Sequence, residues 1–270
     1  MKSALVITLI LCLFQAKAQQ KLTATSEIVR YEIRPGKADS LREYSSEKRV
    51  ALVIGNKNYA ISPLTNPEHD ASDMSDVLRR TGFDVETVVN GTYLEMRDAV
   101  KRFAEKIKDG GVGLFYYSGH GVQVDGDNYM IPIDAVLEEK SDVASRCVRV
   151  SAVLNYMEAS KNRLNILILD ACRSNPFKAF TRSGEKGMAR EDAPTGSIIA
   201  FSTAPGRTAS DGTGRNGIYT AKLIKYMNVP GLSIEQVLKN VRREVMEESK
   251  NQQVPWENTA LVGDFYFTLN

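Results

Sequence analysis

The sequence predicts an α/β domain with a mainly parallel sheet of about six strands and helices on both faces of the sheet. Three observations support this fold class. Short apolar runs recur along the chain, segments with helical spacing of apolar residues separate them, and the runs are apolar almost throughout. Strands that are apolar on both faces are typical of a parallel sheet that helices cover on each side.

Five apolar runs and one C-terminal segment account for the predicted strands. Gly55-Asn56 ends the first run and Asn90-Gly91 ends the second, because Gly and Asn favour turns. The C-terminal segment is expected to form an edge strand. The six predicted strands are residues 50–54, 85–89, 112–117, 164–169, 197–202 and 265–269.

Four helices are predicted between and after these strands. The first covers residues 66–80 and ends at Thr81-Gly82. A long helix begins at Thr92, where Glu95 stands three residues on and completes a capping box. The other two cover residues 217–227 and 233–247, and the latter begins with a second box of the form Ser-x-x-Gln.

The first eighteen residues have the three parts of a secretory signal peptide. Lys2 gives a basic start, residues 4–14 form an apolar run of 11, and Ala16-Lys17-Ala18 is a small-residue cleavage site. A run of 11 is shorter than the roughly 20 residues that cross a bilayer, so no stable membrane anchor is expected. A lipoprotein anchor at Cys12 is the alternative, but bulky Ile10-Leu11 precedes that cysteine. Cleavage after Ala18 and export to the periplasm or the exterior are therefore expected.

The composition of the 252 residues that remain after cleavage narrows the classes of partner to expect. Without Lys2 and Lys17 the chain has 33 basic and 33 acidic residues, and no stretch is dense in Lys and Arg, so no nucleic-acid partner is expected. Residues 19–47 are polar without a sustained period, which predicts a flexible pro-segment or linker before one domain over residues 48–270. Two cysteines remain, Cys147 and Cys172, and a disulfide between them is one interpretation in an oxidising compartment.

A His and a Cys follow two of the predicted strands. Ser118-Gly119-His120-Gly121 comes after the third strand, and Asp170-Ala171-Cys172-Arg173 comes after the fourth. Ligands of parallel sheets bind beyond the carboxyl ends of the strands. An imidazole beside a thiol lowers its pKa or removes its proton during attack, so the pair is suited to nucleophilic catalysis. Gly119 and Gly121 are expected to permit a sharp turn and close substrate approach, and the N–H groups of Gly121 and Cys172 are candidate oxyanion donors.

Other site chemistries lack their motifs in this sequence. With two His in total, His69 and His120, and no Cys-x-x-Cys pair, a zinc site of ordinary ligand spacing is not expected. No glycine-rich phosphate loop follows a strand, and no Gly-x-Ser-x-Gly elbow is present. The sequence therefore predicts neither a metal nor another cofactor.

The motifs resemble those of the caspase-like cysteine proteases, a family that includes caspases, metacaspases, paracaspases and bacterial relatives. A His about 50 residues before the Cys is a published mark of caspases, and here the spacing is 52. The resemblance covers residues 48 to about 230. It implies a caspase-like fold and a cysteine endopeptidase that cleaves peptide bonds through a thioester acyl-enzyme, with His120 as general base, Cys172 as nucleophile, and Gly121 and Cys172 as oxyanion-hole donors. The matching segments are 49–56, 66–70, 115–121, 129–134, 167–173 and 200–203.

Specificity is inferred from a departure within that resemblance. Animal caspases, which cleave after Asp, have Gln two residues before the Cys, and this chain has Asp170 there. Asp70 and Ser118 resemble metacaspase pocket positions, and Asp211 is a further candidate. A carboxylate pair binds an Arg guanidinium and repels an acidic side chain, which favours cleavage after Arg and then Lys. The structural alternative is that Asp70 stabilises a helix N-terminus and Asp170 orients a loop.

Three further expectations concern substrate contacts and regulation. Residues 200–203, including Ser202, are expected to offer main-chain hydrogen bonds to an extended substrate. The polar stretch from 175 to 195 is a candidate for self-cleavage or an exposed loop, and its basic residues are Lys178, Arg182, Lys186 and Arg190. The alternatives are a catalytically silent interaction module, an enzyme that a disulfide from Cys147 to Cys172 inactivates, and a protease with a different preference for the residue before the scissile bond.

Overall fold

The computed structural model describes residues 47–160, 162–172, 188–204 and 214–269, with Cys172 described by its backbone. Six strands form the central sheet in the order β2-β1-β3-β6-β7-β8. All neighbours in it are parallel except β8, which is antiparallel to β7. The strands are β1 (Arg49–Gly55), β2 (Asp84–Val89), β3 (Gly111–Val124), β6 (Asn162–Cys172), β7 (Ser197–Phe201) and β8 (Trp256–Thr259).

A small antiparallel extension begins where β3 passes the edge of the central sheet. The second half of β3 pairs with β4 (Asp127–Met130), which pairs in turn with β5 (Val148–Arg149). Asp125 and Gly126 have φ of 52° and 88° in the β3–β4 connection. Positive φ at both central residues is what a two-residue type I′ hairpin requires, so Asp125-Gly126 forms a tight turn.

The described part of the chain has helices on both faces of the sheet, as predicted. The helices are α1 (Pro67–Arg80), α2 (Tyr93–Lys106), α3 (Lys140–Arg146), α4 (Val150–Ala159), α5 (Ile218–Met227) and α6 (Ile234–Glu248). The capping boxes predicted at Thr92 and Ser233 are both present. The first predicted helix begins one residue later than expected, and α3 and α4 were not predicted.

The alternation along β1 shows how the sheet divides the core. Ala51 and Val53 belong to the apolar cluster that contains α1, α5 and α6. Val50, Leu52 and Ile54 belong to the cluster on the other face, with α2 and α4. Because each strand residue is buried on one side or the other, the sequence of β1 has no polar positions between its ends.

The predicted last strand is wrong, and the observed edge strand is β8. Phe265 and Phe267 are 0% and 4% exposed, and their rings lie 5.0 Å apart in a T-shaped arrangement. Between them Tyr266 makes a single bridge to Ser233 rather than a ladder. The alternation of this segment reflects burial against the α1, α5 and α6 cluster. β8 has the sequence Trp-Glu-Asn-Thr, which carries no apolar alternation to predict a strand.

Candidate active site

His120 and Cys172 occupy paired positions on neighbouring strands. β3 and β6 are parallel, and the last pair in their register is His120 with Cys172, two residues beyond Ser118 with Asp170. Neighbouring strands lie about 4.8 Å apart, so the two backbones are adjacent. Both strands continue past their predicted ends, to Val124 and Cys172. The parallel pairing of β3 with β6 continues three residues past the predicted ends, and β3 then pairs with β4.

The imidazole of His120 is buried and its Nε2 lies 2.8 Å from the carbonyl oxygen of Ser62. A carbonyl oxygen only accepts, so Nε2 carries a proton and donates it. In the neutral ring the lone pair is then on Nδ1. Ser62 lies in the loop between β1 and α1 and has a φ of 55°.

Two tyrosines hydrogen bond to the main chain of His120. The Tyr59 hydroxyl accepts from His120 N–H at 2.9 Å and lies 3.1 Å from the Ile131 carbonyl oxygen, to which it donates. The Tyr117 hydroxyl donates to the His120 carbonyl at 2.6 Å. The rings of Tyr59 and His120 are 4.5 Å apart between centroids, with 48° between their planes.

The glycines beside His120 have a different role from the predicted one. Gly119 and Gly121 are strand residues, and neither is among the glycines of positive φ, so they form no sharp turn. A Cβ at Gly119 would lie 2.6 Å and 2.7 Å from the hydroxyl oxygens of Tyr117 and Tyr59. A Cβ at Gly121 would lie 3.0 Å from that of Ala171 and 3.4 Å from the Met188 sulfur. Close packing therefore requires glycine at 119 and favours it at 121.

The acidic residues predicted for a specificity pocket lie together at the start of α5. The Gly217 N–H and the Ser118 hydroxyl donate to the two Asp70 carboxylate oxygens, at 3.0 Å and 3.1 Å. The Thr220 hydroxyl donates to Asp170 at 2.6 Å. A Cβ placed on Gly217 would be 3.4 Å from one Asp70 oxygen and 3.5 Å from one Asp170 oxygen. The two carboxylates thus converge on one point beside Gly217.

Burial and mutual repulsion both disfavour the charged form of this carboxylate pair. Asp70 and Asp170 are 2% and 7% exposed. Burial, followed by the charge of Asp170, raises the pKa of Asp70 to about 7, against the opposing hydrogen bonds. Two adjacent anionic groups with few opposite charges bind a cation favourably, because the cation relieves both the repulsion and the desolvation.

The other predicted pocket residues have different outcomes. Ser202 is buried, its N–H donates to Leu169, and its carbonyl accepts from the Gln253 side chain at 2.9 Å. The Ser202 N–H is therefore already used within the sheet, whereas its carbonyl oxygen has a second lone pair that a substrate N–H could use. Asp211 lies outside the described residues, as do most of the 175–195 stretch and the signal peptide.

Cys147 is a free thiol in the hydrophobic core beside β3 and β4. It is 4% exposed and belongs to a cluster with Tyr59, Val122 and Tyr129. Burial raises its pKa to about 12, so the thiol is neutral at physiological pH. The structure therefore gives the inactivating disulfide with Cys172 no support.

Sequence reasoning missed the residues that hold the site from outside its motifs. Tyr59, Ser62 and Gly217 lie in loops, where a single sequence carries no periodic signal. Asn128 is another: its buried amide donates to Ala189 O at 3.0 Å and accepts from Ala189 N at 2.6 Å. It thereby fixes the chain next to Met188, which packs on Gly121.

Within the described ranges, no group of three or more His, Cys, Asp or Glu side chains could hold a metal ion. None of the helices in those ranges is long and apolar enough to cross a bilayer.

Comparison with known proteins identifies the class that this fold and site define. The family profile of the caspase domain matches residues 48–266, and the chain belongs to that family, which consists of cysteine peptidases. The crystal structure of caspase-1 from Spodoptera frugiperda superposes with a TM-score of 0.60 over 83% of this chain and 92% of that chain, at 17% identity. The predicted caspase-like α/β fold is thus confirmed.

Two curated relatives show more sequence similarity over a shorter stretch. The mucosa-associated lymphoid tissue lymphoma translocation protein 1 of Homo sapiens is 36% identical over 129 residues, and its homolog in Mus musculus is 35% identical over the same length. Each match covers 47% of this chain and 15% of the relative. The similarity to these proteins is therefore a similarity to one part of them.

Proposed function

We propose that this protein is a cysteine endopeptidase that uses Cys172 and His120 and cleaves after basic residues, Arg before Lys. The observation that supports the dyad is the in-register pairing of these two residues at the end of the β3–β6 ladder, in a chain of the caspase-domain family. Nδ1 of His120 takes the proton of the Cys172 thiol as its sulfur attacks the scissile carbonyl carbon. The carbonyl oxygen becomes an oxyanion.

The remaining steps return the enzyme to its starting state. The imidazolium gives its proton to the leaving amine as the carbon–nitrogen bond breaks, which leaves a thioester on Cys172. A water molecule, deprotonated by His120, then attacks the thioester carbon, and the carbon–sulfur bond breaks to release the new carboxyl terminus. The imidazolium returns its proton to the leaving Cys172 sulfur, which restores the thiol and the neutral imidazole. The Ser62 carbonyl keeps Nε2 protonated throughout, so that Nδ1 remains the nitrogen that exchanges the proton.

The direction of main-chain groups along β3 supports Gly121 as an oxyanion donor. Ser118 O accepts from Asn56 N, and His120 O accepts from Ile131 N, both on the β1 side of β3. Groups of alternate strand residues point to opposite sides, so the Gly121 N–H points toward β6 and its end at Cys172. A second N–H, that of Cys172 itself, completes the proposed oxyanion hole.

Two carboxylates that converge beside Gly217 support the basic preference. A guanidinium or ammonium group in this position would contact Asp70 and Asp170 and neutralise a buried anionic pair. The Thr220 and Ser118 hydroxyls orient the carboxylate oxygens. The structural alternative has support as well, because Asp70 lies in the first turn of α1, and it also accepts from the N–H of Gly217 at the start of α5. Substitution of Asp70 tests these two roles against each other.

The proposal includes export and, in the 175–195 stretch, self-cleavage. Its substrates are peptides or proteins. N-terminal sequencing of the secreted protein tests the export step, with Gln19 as the expected first residue. A protein that still begins at Met1 would contradict it.

The activity is tested with residues 19–270 and four peptides that differ only in an Arg, Lys, Asp or Gly before the scissile bond. We expect hydrolysis of the Arg and Lys peptides, with loss in Cys172→Ala and in His120→Ala. Cys147→Ala, the matched control at the other cysteine, should retain activity. Equal rates in the wild type and in Cys172→Ala would refute the mechanism, and cleavage after Asp or Gly alone would refute the specificity. Binding without hydrolysis by a folded wild type would favour an interaction module.

A further inference from the structure

We propose that Tyr59 is a positioning residue for His120, which it holds through its hydroxyl and supports through its ring. This inference rests on the proposed role of His120 as the general base. Tyr59 lies outside the motifs that contain His120 and Cys172, in the loop that connects β1 to α1.

The hydroxyl of Tyr59 takes the place of a neighbouring strand. His120 N–H faces the β1 side of β3, where the sheet has ended, and donates to the Tyr59 oxygen at 2.9 Å. The hydroxyl proton goes to the Ile131 carbonyl at 3.1 Å, while Tyr117 donates to His120 O at 2.6 Å. Both main-chain groups of His120 are therefore fixed by phenols, which sets the Cα–Cβ direction of the imidazole.

Gly119 shows that this arrangement is built closely into the strand. The two phenol oxygens would stand 2.6 Å and 2.7 Å from a Cβ at position 119, closer than real Cβ contacts. Any other residue at 119 would displace Tyr59 or Tyr117 from His120. The glycine before the histidine thus makes room for the phenols.

The ring of Tyr59 lies against the imidazole itself. Their centroids are 4.5 Å apart. An aromatic ring near a cation stabilises it, and the proposed mechanism forms an imidazolium at this position. The same loop supplies the Ser62 carbonyl that accepts from Nε2, and Asn90 Oδ1 fixes the loop through Lys57 N and Asn58 N, each at 3.0 Å.

Two titratable groups near this contact, within the described residues, carry no charge. Tyr117 is buried on β3, and Cys147 lies in the same apolar cluster as Tyr59. Burial raises the pKa of both groups, so both are neutral when the imidazolium forms. Cys172 pairs with His120 in the β3–β6 ladder, and its thiol is removed by substitution in the experiment below.

Two substitutions separate the hydroxyl from the ring. Tyr59→Phe keeps the ring and leaves His120 N–H without its acceptor, and we expect kcat to fall about tenfold with KM within twofold of the wild type. Tyr59→Leu removes both, and we expect a larger fall in kcat. Tyr129→Phe is the matched control, because Tyr129 is buried in the same cluster but its hydroxyl accepts from Arg149.

Titration of the imidazole supplies a readout that general loss of stability would not give. The chain has two histidines, so NMR resolves His120 beside His69 as an internal reference. In the Cys172→Ala background, Tyr59→Leu should lower the pKa of His120 by roughly half a unit to one unit, and Tyr59→Phe by much less.

The outcomes distinguish this inference from the proposed function. The role of Tyr59 alone would be overturned by one combination of results. In it, His120→Ala and Cys172→Ala lose activity, but both Tyr59 variants keep the wild-type kcat and the wild-type titration of His120. Wild-type activity in His120→Ala would overturn the proposed function. If Tyr59→Leu does not fold, Tyr59→Phe decides: a kcat within twofold of Tyr129→Phe contradicts the inference, and a tenfold deficit supports it.

Discussion

Asp70→Asn should stabilise the folded protein while it weakens the binding of basic substrates. Asn keeps the shape of the side chain and can still accept from Gly217 N–H and bond with the Ser118 hydroxyl, but it removes one charge from the buried pair. In the wild type, the folded protein raises the pKa of Asp70 from 3.8 to about 7. Ionised Asp70 therefore costs stability, whatever it contributes to substrate binding.

The size and the sign of the effect follow from this shift. When folding raises the pKa of a carboxyl group, the folded state loses stability as the pH rises from the unfolded pKa to the folded pKa. For Asp70 that interval runs from about pH 4 to about pH 7. At 1.36 kcal/mol per unit, the cost reaches about 4 kcal/mol above pH 7, shared with Asp170. In a domain of this size it corresponds to roughly 10 °C in Tm.

The assay is urea unfolding of Cys172→Ala and Asp70→Asn/Cys172→Ala proteins at pH 4, 6 and 8. We expect equal stability near pH 4 and a growing advantage of the Asn variant toward pH 8. Asp73→Asn on the same helix is the control: Arg215 lowers the pKa of Asp73, so its removal should destabilise slightly. If Asp70→Asn lowered stability at pH 8, the charge of Asp70 would stabilise the helix N-termini near it, and the repulsion inferred for the carboxylate pair would be wrong.

Three further predictions test other parts of the account. Asp170→Asn should lower kcat/KM for an Arg peptide about a hundredfold at pH 8, because the substrate cation loses a buried charge partner. The kcat/KM for the matching peptide with neutral citrulline should stay within threefold of the wild type, and equal losses for both peptides would contradict charge recognition. Self-cleavage should spare the bond after Arg190, because Asn128 bonds to Ala189 and Asn258 bonds to Glu191. Mass spectrometry of the fragments should show wild-type cuts after residues 178, 182 or 186. The Asn128→Ala variant should also be cut after Arg190. Arg49→Met should lower the free energy of unfolding by about 3 kcal/mol, because the guanidinium donates to the carbonyl oxygens of Thr81, Tyr266 and Phe267. An unchanged stability in calorimetry would contradict a stabilising role of these hydrogen bonds.

Much of the sheet was predictable because its strands carry a strong local signal. β1, β3, β6 and β7 are apolar on both faces, and the order of strands and helices defines a parallel sheet. The juxtaposition of His120 with Cys172 followed from that topology alone, since parallel strands end at one edge. Capping boxes at Thr92 and Ser233 were equally local and were confirmed.

The features that were missed depend on contacts between distant residues. β8 is polar in sequence and forms a strand because β7 offers it a free edge. Phe265 and Phe267 alternate as a strand would, but they are buried against the helices on one face of the sheet. Gly119 is glycine because two phenols approach it, a cause that no local pattern reveals. The support of His120 by Tyr59 spans 61 residues of chain.

The catalytic role of Cys172 is tested most directly by covalent trapping. A peptide that ends in Arg and carries an electrophilic ketone should react with the protein at one site, and peptide mapping should place the adduct on Cys172. Cys147 should remain unmodified, because it is buried and its thiol pKa is raised to about 12. An adduct on Cys147, or labelling that persists undiminished in Cys172→Ala, would contradict the mechanism proposed for this protein.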